Sequence, residues 1–485
     1  MFLGIDVGTS GVKVVVLDAA GALCAQASAP LSVARPQAAW SEQTPDDWWA
    51  AVDIAVRLLD AATRLQVTCI GLAGQMHGAT LLGADDRPLR PAILWNDGRS
   101  FAECEELEAR EPRSRAITGN VAMPGFTAPK LAWVRKHEPA LFEQIRTVLL
   151  PKDYVRLRMT GDKASDLSDS AGTLWLDVAA RDWSDAMLAA TDLTRAQMPA
   201  LFEGSEITGR LRAEVAEAWG MDRVPVVAGA SDNAAGAAGV GVIGAKEDGG
   251  GDALLSLGTS GVIFVATHDF RPNPARAVHA FCHALPDTWH QMAVHLSAAA
   301  CVDWGAQLTG LDGPAALFAE AEKTGPAAGP ELFLPYLSGE RTPHNDPHVR
   351  GGFLRLDNET TRGSLAAAVL EGVAFTHADG LDALREAGTR VEELLVIGGG
   401  ARSRYWGRIL AAALRVRLAY PEGGEVGPAL GAAKLARMAA LNLSAAEACT
   451  RPPVAEVIEP DPALVEALAP KLAKFRAAYA AIRDL

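Results

Sequence analysis

Two stretches of this chain share one grammar. Phe2 to Asp18 reads FLGIDVGTSGVKVVVLD, and Ala253 to Ala266 reads ALLSLGTSGVIFVA. In both, a short apolar run enters a Gly-Thr-Ser-Gly turn and a β-branched run leaves it. That pattern predicts a β-hairpin, not the strand-to-helix turn of a P-loop. In the first, Gly8, Thr9 and Ser10 offer backbone N–H groups and two hydroxyls, with Lys13 beside an acid, Asp6. Such a set suits a phosphate and its Mg²⁺; taken alone it is also an ordinary glycine-rich hairpin. The second turn, Gly258-Thr259-Ser260, has no acid matching Asp6. The pair is therefore one acid-bearing hairpin and one neutral one.

Between them lies VVAGASDNAAGAAGVGV, from Val226 to Val242. A short strand leads through small residues to one carboxylate, Asp232, and then to an Ala/Gly-rich helix. Small side chains let ligand and backbone approach closely. An acid there suits acceptance of a proton from a substrate hydroxyl. Ser231, Asp232 and Asn233 are also good helix caps, which is the competing reading of the same residues.

Polar groups gather at other strand ends. Val67 to Leu72 predicts a buried strand running into Gly74-Gln75-Met76-His77-Gly78, and Ile93 to Arg99 ends a second strand in Trp95-Asn96-Asp97. Amide, imidazole, carboxylate and guanidinium groups together suit a polyol, whose hydroxyls need paired donors and acceptors. A lone histidine is more often structural. Asp153 and Ser170 are open to the same two readings, substrate contact or loop capping. Leu394 to Ile397 predicts a strand, followed by Gly398-Gly399-Gly400-Ala401 and a helix from about Ser403. A glycine turn there lets a flat ring lie on the backbone beside a helix N-terminus.

On these residues the chain resembles the FGGY carbohydrate kinases of the actin/Hsp70/sugar-kinase ATPase superfamily. The GTSG hairpins, GQMHG with LWNDGR, GFTAPKLAWVRKH at 125–137, FLPYLSGERTPHNDP at 333–347 and GGGA at 398–401 carry the resemblance, over roughly residues 1–445. The match near 351–371 is partial, with Arg355 where a glycine is usual and Ser364 where an acid or amide is usual. The resemblance implies an α/β fold of two ribonuclease H-like domains, each a mixed five-stranded sheet flanked by helices, with ATP in the cleft. It places an N-terminal domain at 1–243, a C-terminal domain at 253–440 and a terminal helix at 461–485. It implies transfer from ATP to the C5 hydroxyl of a ketopentose, D-xylulose first, with Asp232 as base and Asp6 and Asp232 on Mg²⁺. Met76 and His77 then sit against the sugar with Gln75, Trp95, Asp97 and Asn233. Gly8, Thr9, Ser10, Lys13, Gly258, Thr259, Ser260, Gly399, Gly400, Ala401 and Ser403 face the nucleotide, with Arg402 and Trp406 near the purine by analogy. Lys130, in the 125–137 stretch, is given a packing role. Met76-His77 in place of the Arg-Glu pair of glycerol kinases disfavours glycerol. A ribulose or pentitol kinase is the nearest alternative; a non-catalytic sugar sensor or ATPase switch is the alternative of another class. Homodimers are common in the family.

Composition agrees. A chain of 485 residues is too long for one core. A net charge of −14 argues against nucleic-acid and anionic-membrane partners. Six cysteines without metal spacing read as small core residues in a reducing, cytoplasmic setting. Glycine-rich 244–252 reads as a linker, Leu365 to Asp382 as an amphipathic helix, and Gly423 to Ala433 as a loop entering a small-residue helix.

Overall fold

The computed structural model describes residues 1–244, 252–422 and 427–483. The linker expected at 244–252 lies outside the described residues for 245–251. So do 423–426 of the loop expected at 423–433, and the last two residues of the chain.

The first half builds a sheet from β1 (Phe2–Val7), β2 (Gly11–Leu17), β3 (Leu23–Pro30), β4 (Cys69–Gly74), β5 (Ile207–Arg210), β6 (Pro225–Val227) and β7 (Ala230–Ser231). The order is β5–β6–β4–β1–β2–β3, with β7 also on β4. The second half builds one from β8 (Ala253–Leu257), β9 (Gly261–Thr267), β10 (His279–Cys282), β11 (Trp289–His295), β12 (Glu393–Ile397), β13 (Arg417–Pro421) and β14 (Val454–Ile458), in the order β10–β11–β9–β8–β12–β13–β14. Beneath these lists is one plan used twice. β3–β2–β1–β4–β6/β7 and β11–β9–β8–β12–β13 have matching order: two antiparallel pairings, then two parallel ones.

Each sheet therefore counts seven strands rather than five. Edge strands account for part of the difference: β5 in the first sheet, β10 and β14 in the second. The rest is a broken fifth strand. Gly229 has φ +82°, and a Cβ there would stand 2.0 Å from the carbonyl oxygen of Leu72. The backbone at the break bonds sideways instead, Ala228 N–H to Glu206 and Gly229 N–H to Gly204, both at 2.8 Å. That break turns the chain toward Asp232.

The helices used below are α1 (Thr127–His137), α2 (Asp232–Gly239), α3 (Ala299–Thr309), α4 (Arg362–Glu386), α5 (Arg404–Leu414), α6 (Pro428–Leu441) and α7 (Pro462–Ile482). α2 and α6 follow the fifth strand of their respective plans, and they cross. α6 packs its alanines on β1 and β4 of the first sheet. Ala237 of α2, with Val240 and Val242 just beyond it, packs with Leu254, Phe264, Leu395 and Ala419 of the second. The two helices touch backbone to backbone: a Cβ at Gly431 would meet the carbonyl oxygen of Ala235 at 1.8 Å. Only glycine permits that approach, and it ties the halves together beside the cleft.

α4 corrects one expectation. It is not amphipathic; nearly its whole circumference from Gly363 to Leu384 is buried, because α3, α5 and the second sheet enclose it. α7 starts as expected, with Asp461 accepting from Ala463 N–H at 2.9 Å, and anchors through buried Leu468 and Phe475. Five cysteines are buried and unpaired as expected, but Cys24 on the edge strand β3 is exposed. Among the described residues no helix is long and apolar enough to cross a membrane.

Candidate active site

The functional groups emerge where parallel strands end, the usual place for ligands in such sheets. β1, β4 and β7 run parallel, with Asp6 and Ala230 both paired to Ala73 from opposite sides. Asp6 and the start of α2 thus stand two strands apart, about 10 Å by ladder spacing. In the second half β8 and β12 end together, bringing Gly258–Ser260 beside Gly398–Ala401.

Asp232 is the first residue of α2. Ser231 performs the capping, its Oγ accepting from Ala234 N–H at 3.4 Å. The carboxylate is therefore not consumed by the cap. Asn233 supplies its bonds to one oxygen only, from backbone N–H (2.7 Å) and amide (3.0 Å). Burial in the cleft floor pushes Asp232 up to about 6 against those two bonds. Asp6 is pushed up to about 7, first by burial and then by the charge of Asp232, with Lys13, its cross-strand partner, acting in the opposite sense.

His77 takes a left-handed backbone, φ +68°, right after β4. Such a conformation in a non-glycine residue is costly and is held by its surroundings. Thr127 Oγ1 (3.2 Å) and Lys130 Nζ (2.8 Å), both on α1, donate to its carbonyl oxygen. Its Nδ1 lies 2.6 Å from the carbonyl oxygen of Gly172, so Nδ1 carries the proton and Nε2 is an acceptor. Burial holds the ring neutral, down to about 3, helped by the charges of Lys130 and Arg341. Gly172 is the backstop: a Cβ there would sit 2.6 Å from His77 Cε1 and 2.7 Å from Met76 Cε. Met76 reaches Asn233, whose amide nitrogen is 3.9 Å from its sulfur. Met76, His77, Asp232 and Asn233 are thus neighbours. Lys130 proves to be a positioning residue for His77; no sequence signal distinguished that role from packing.

Several expected ligand contacts are spent elsewhere. Gln75 is buried; its Oε1 accepts from Thr9 Oγ1 (2.9 Å) and its Nε2 donates to Gln43 Oε1 (2.8 Å). Gln43 in turn donates to the Thr9 carbonyl at 2.7 Å. These amides brace the first hairpin from behind and do not face a sugar. Thr9 Oγ1 also accepts from Trp95 Nε1 at 3.0 Å, and the Gly8 N–H donates to the Gly11 carbonyl at 3.1 Å, so neither is open to a ligand. Asp97 is buried against Arg99 (2.7 Å) and the Ser41 N–H (2.6 Å), so its charge is already matched. Ser403 is the N-cap of α5, accepting from Trp406 N–H at 3.2 Å. Trp406 is fully buried beneath Gly400 and donates to the Leu370 carbonyl at 3.1 Å; it backs the glycine turn and cannot stack on a purine.

Asp153 and Ser170 are likewise structural. Lys152, wholly buried, meets Asp153 (2.7 Å), Asp166 (2.6 Å) and Asp169 (3.1 Å). Ser165 bridges Asp153 (2.6 Å) and Ser170 (2.9 Å). Ser168, bonded to Asp166, accepts from Ser231 N–H at 3.0 Å. A buried ionic network therefore holds the backbone one residue before Asp232.

The second hairpin is seated differently. Gly258 and Thr259 carbonyls accept from Ala299 N–H (2.9 Å) and Ala298 N–H (2.9 Å) at the start of α3. Thr259 and Ser260 remain exposed to the cleft. Between the halves lies a cavity of about 520 Å³, lined by Trp95 and Gly125 on one side and by Leu296, Glu340 and Arg341 on the other. Arg341, which the sequence offers only as a structural residue of the 333–347 turn, and His279, which no sequence signal singles out, reach the His77 wall from the second half.

The chain matches models of the FGGY family of carbohydrate kinases, the N-terminal domain over residues 1–239 and the C-terminal domain over 253–440. It is 56% identical to a xylulose kinase of Escherichia coli (strain K12), covering 99% of this chain and 98% of that protein. It is 52% identical to a xylulose kinase of Klebsiella pneumoniae, both covered in full. Among solved structures it is similar to a xylulose kinase from Brucella ovis, with TM-score 0.95 and 51% identity over 100% of this chain and 99% of that one. A glycerol kinase of Plasmodium falciparum with ADP shares the fold, with TM-score 0.89 at 18% identity, 99% of this chain and 97% of that one covered.

Proposed function

The chain belongs to the FGGY family of carbohydrate kinases, and we propose that it phosphorylates D-xylulose from ATP at the C5 hydroxyl, with Asp232 taking the hydroxyl proton. The observation that carries the role of Asp232 is the division of labour at the start of α2. Ser231 caps the helix, so the neighbouring carboxylate is left facing the cleft with one oxygen unbonded among the described residues. Held near 6, it is mostly ionised at neutral pH yet basic enough to accept a proton as the acceptor oxygen bonds to phosphorus.

Full-length similarity to xylulose kinases carries the substrate class. Met76, His77 and Asn233 hold the sugar beside Asp232; the two hairpin turns hold the phosphates with backbone N–H groups. Most of the rate enhancement then comes from positioning and fixed electrostatics. Asp6 and Asp232 fit a Mg²⁺ ion. Asp6 Oδ1 is buried without a hydrogen-bond partner, and a carboxylate whose proton affinity is raised by burial and by the charge of Asp232 is relieved by a cation. Among the described residues there is no group of three or more His, Cys, Asp or Glu side chains placed to hold a metal ion. When bound, the ion supplies neutralisation of phosphate charge. The unpaired cysteines fit a cytoplasmic setting.

The test is ADP release measured with a panel of ketopentoses, pentitols and glycerol, for the wild-type chain and Asp232→Asn. D-xylulose should be preferred and its turnover lost in the variant. Preference for a pentitol would move the substrate and keep the mechanism. Sugar-independent ADP release untouched by Asp232→Asn would instead support an ATPase switch.

A further inference from the structure

Arg341 is a cation without a carboxylate. It stands in the turn after Tyr336, in the second half, and among the described residues no acidic oxygen lies within 4.0 Å of its guanidinium. Its neighbour Glu340 looks elsewhere. One Glu340 oxygen accepts from the N–H groups of Leu296 (3.0 Å) and Arg341 (2.8 Å), and the other lies 3.7 Å from His295 Nδ1. Burial pushes Glu340 up to about 8, and its carboxylate acts on Arg341 from a distance without forming an ion pair with it.

The guanidinium has one hydrogen bond, Nη1–H to His279 Nε2 at 3.3 Å. That bond makes His279 Nδ1 the donor to Asn120 Oδ1, 2.9 Å away in the first half. The His279 ring stands edge-on to Phe126 (5.6 Å between centroids), and Phe126 edge-on to His77 (4.9 Å). A fixed aromatic wall thus joins a donor-only group, Arg341, to an acceptor-only group, His77 Nε2, near enough for the Arg341 charge to act on the His77 ring. Arg341 borders the cavity of about 520 Å³.

A donor-only and an acceptor-only group on one wall complement a ketone and a hydroxyl of one ligand. A pentitol offers a hydroxyl at both points, and the O–H facing the donor-only guanidinium is left without an acceptor there. The ring form of a 2-ketopentose offers neither the ketone nor the acceptor hydroxyl, because O5 is bonded to C2 in the hemiketal. Ring opening restores C2=O and O5–H together, with no atoms gained or lost. The geometry points to Arg341 as the residue that reads the C2 carbonyl of the acyclic ketose, while His77 Nε2 accepts a hydrogen bond from a hydroxyl of the same sugar. This rests on the ketopentose-kinase reading above and adds a specificity residue to it.

Two measurements test it on the full chain. The first compares wild type, Arg341→Met and Arg341→Lys with D-xylulose, and with xylitol as substrate or competitive inhibitor. For Arg341→Met, kcat/KM for D-xylulose should fall about 10- to 100-fold, the loss of one charge-assisted bond. The xylitol constant and sugar-independent ADP release should move less than about threefold, and lysine should recover part of the loss. Equal loss on both sugars, or no loss, overturns the assignment. The second is ¹³C NMR of bound [2-¹³C]xylulose, which does not need turnover. A free-ketone signal in wild type that disappears with Arg341→Met supports the assignment; a hemiketal bound to wild type overturns it. If wild type does not phosphorylate xylulose at all, the kinase reading has failed, and the NMR result still decides the role of Arg341.

Discussion

The two GTSG hairpins have the same turn sequence and opposite supports. The first puts Asp6 two residues before its glycine turn; at the matching place the second has Ser256. The first is braced from behind by a chain of side-chain amides, Gln75 and Gln43, and by Trp95. The second is seated on backbone N–H groups at the start of α3, with His377 packed beneath Gly261. An identical GTSG turn thus serves two purposes because the residues around it differ. The acidic hairpin faces Asp232 and suits a cation and the reacting phosphoryl group. In the proposed reaction the neutral one adds donors without adding negative charge.

The comparison can be broken by exchanging that chemistry. Asp6→Asn should lower kcat about 10²- to 10³-fold, the scale for losing one fixed electrostatic group, with the KM for D-xylulose nearly unchanged. Ser256→Ala at the matching site should change either constant by less than about threefold. A similar loss at both positions in steady-state kinetics would mean that the hairpins are equivalent. Gly261→Ala comes next. Its Cβ would stand 2.2 Å from His377 Nε2, so the second hairpin must shift. Overpacking of this kind costs about 1–3 kcal/mol; the KM for ATP should rise while that for sugar stays. Gln75→Ala should sharpen the contrast from the other side. It strips partners from Thr9 and Gln43, costs about 1–3 kcal/mol in denaturant unfolding, and raises the KM for ATP rather than for sugar. Ser403→Ala is the smallest: loss of the α5 cap costs about 0.5–2 kcal/mol by the same unfolding measurement, with little change in kcat.

Much of this was legible in the chain. The hairpins announce themselves through β-branched runs around GTSG, and Asp232 through its place between a strand and a small-residue helix. Local grammar carries such features because strand, turn and cap chemistry depend on near neighbours. Partner choice does not. Gln75, Asp97 and Ser403 have the side chains a ligand site wants, yet Thr9, Arg99 and Trp406 claim them. The cap at α2 was ambiguous among three adjacent residues until the backbone gave it to Ser231. The His77 wall joins residues 77, 126, 279 and 341, and no periodicity links positions so distant. The crossing of α2 and α6 was equally hidden, since Gly431 reads as a helix-weakening glycine until Ala235 is set against it.

The central claim is that Asp232 removes the proton from the acceptor hydroxyl. Its most direct test is kcat/KM for D-xylulose against pH, for wild type and Asp232→Asn. Burial raises Asp232 to about 6 and Asp6 to about 7, and both must be ionised to act. The wild-type rate should therefore climb with pH through an acidic limb between about 6 and 7. Asp232→Asn should lower kcat about 10²- to 10⁴-fold. A variant that keeps the wild-type kcat and the same acidic limb would contradict the account.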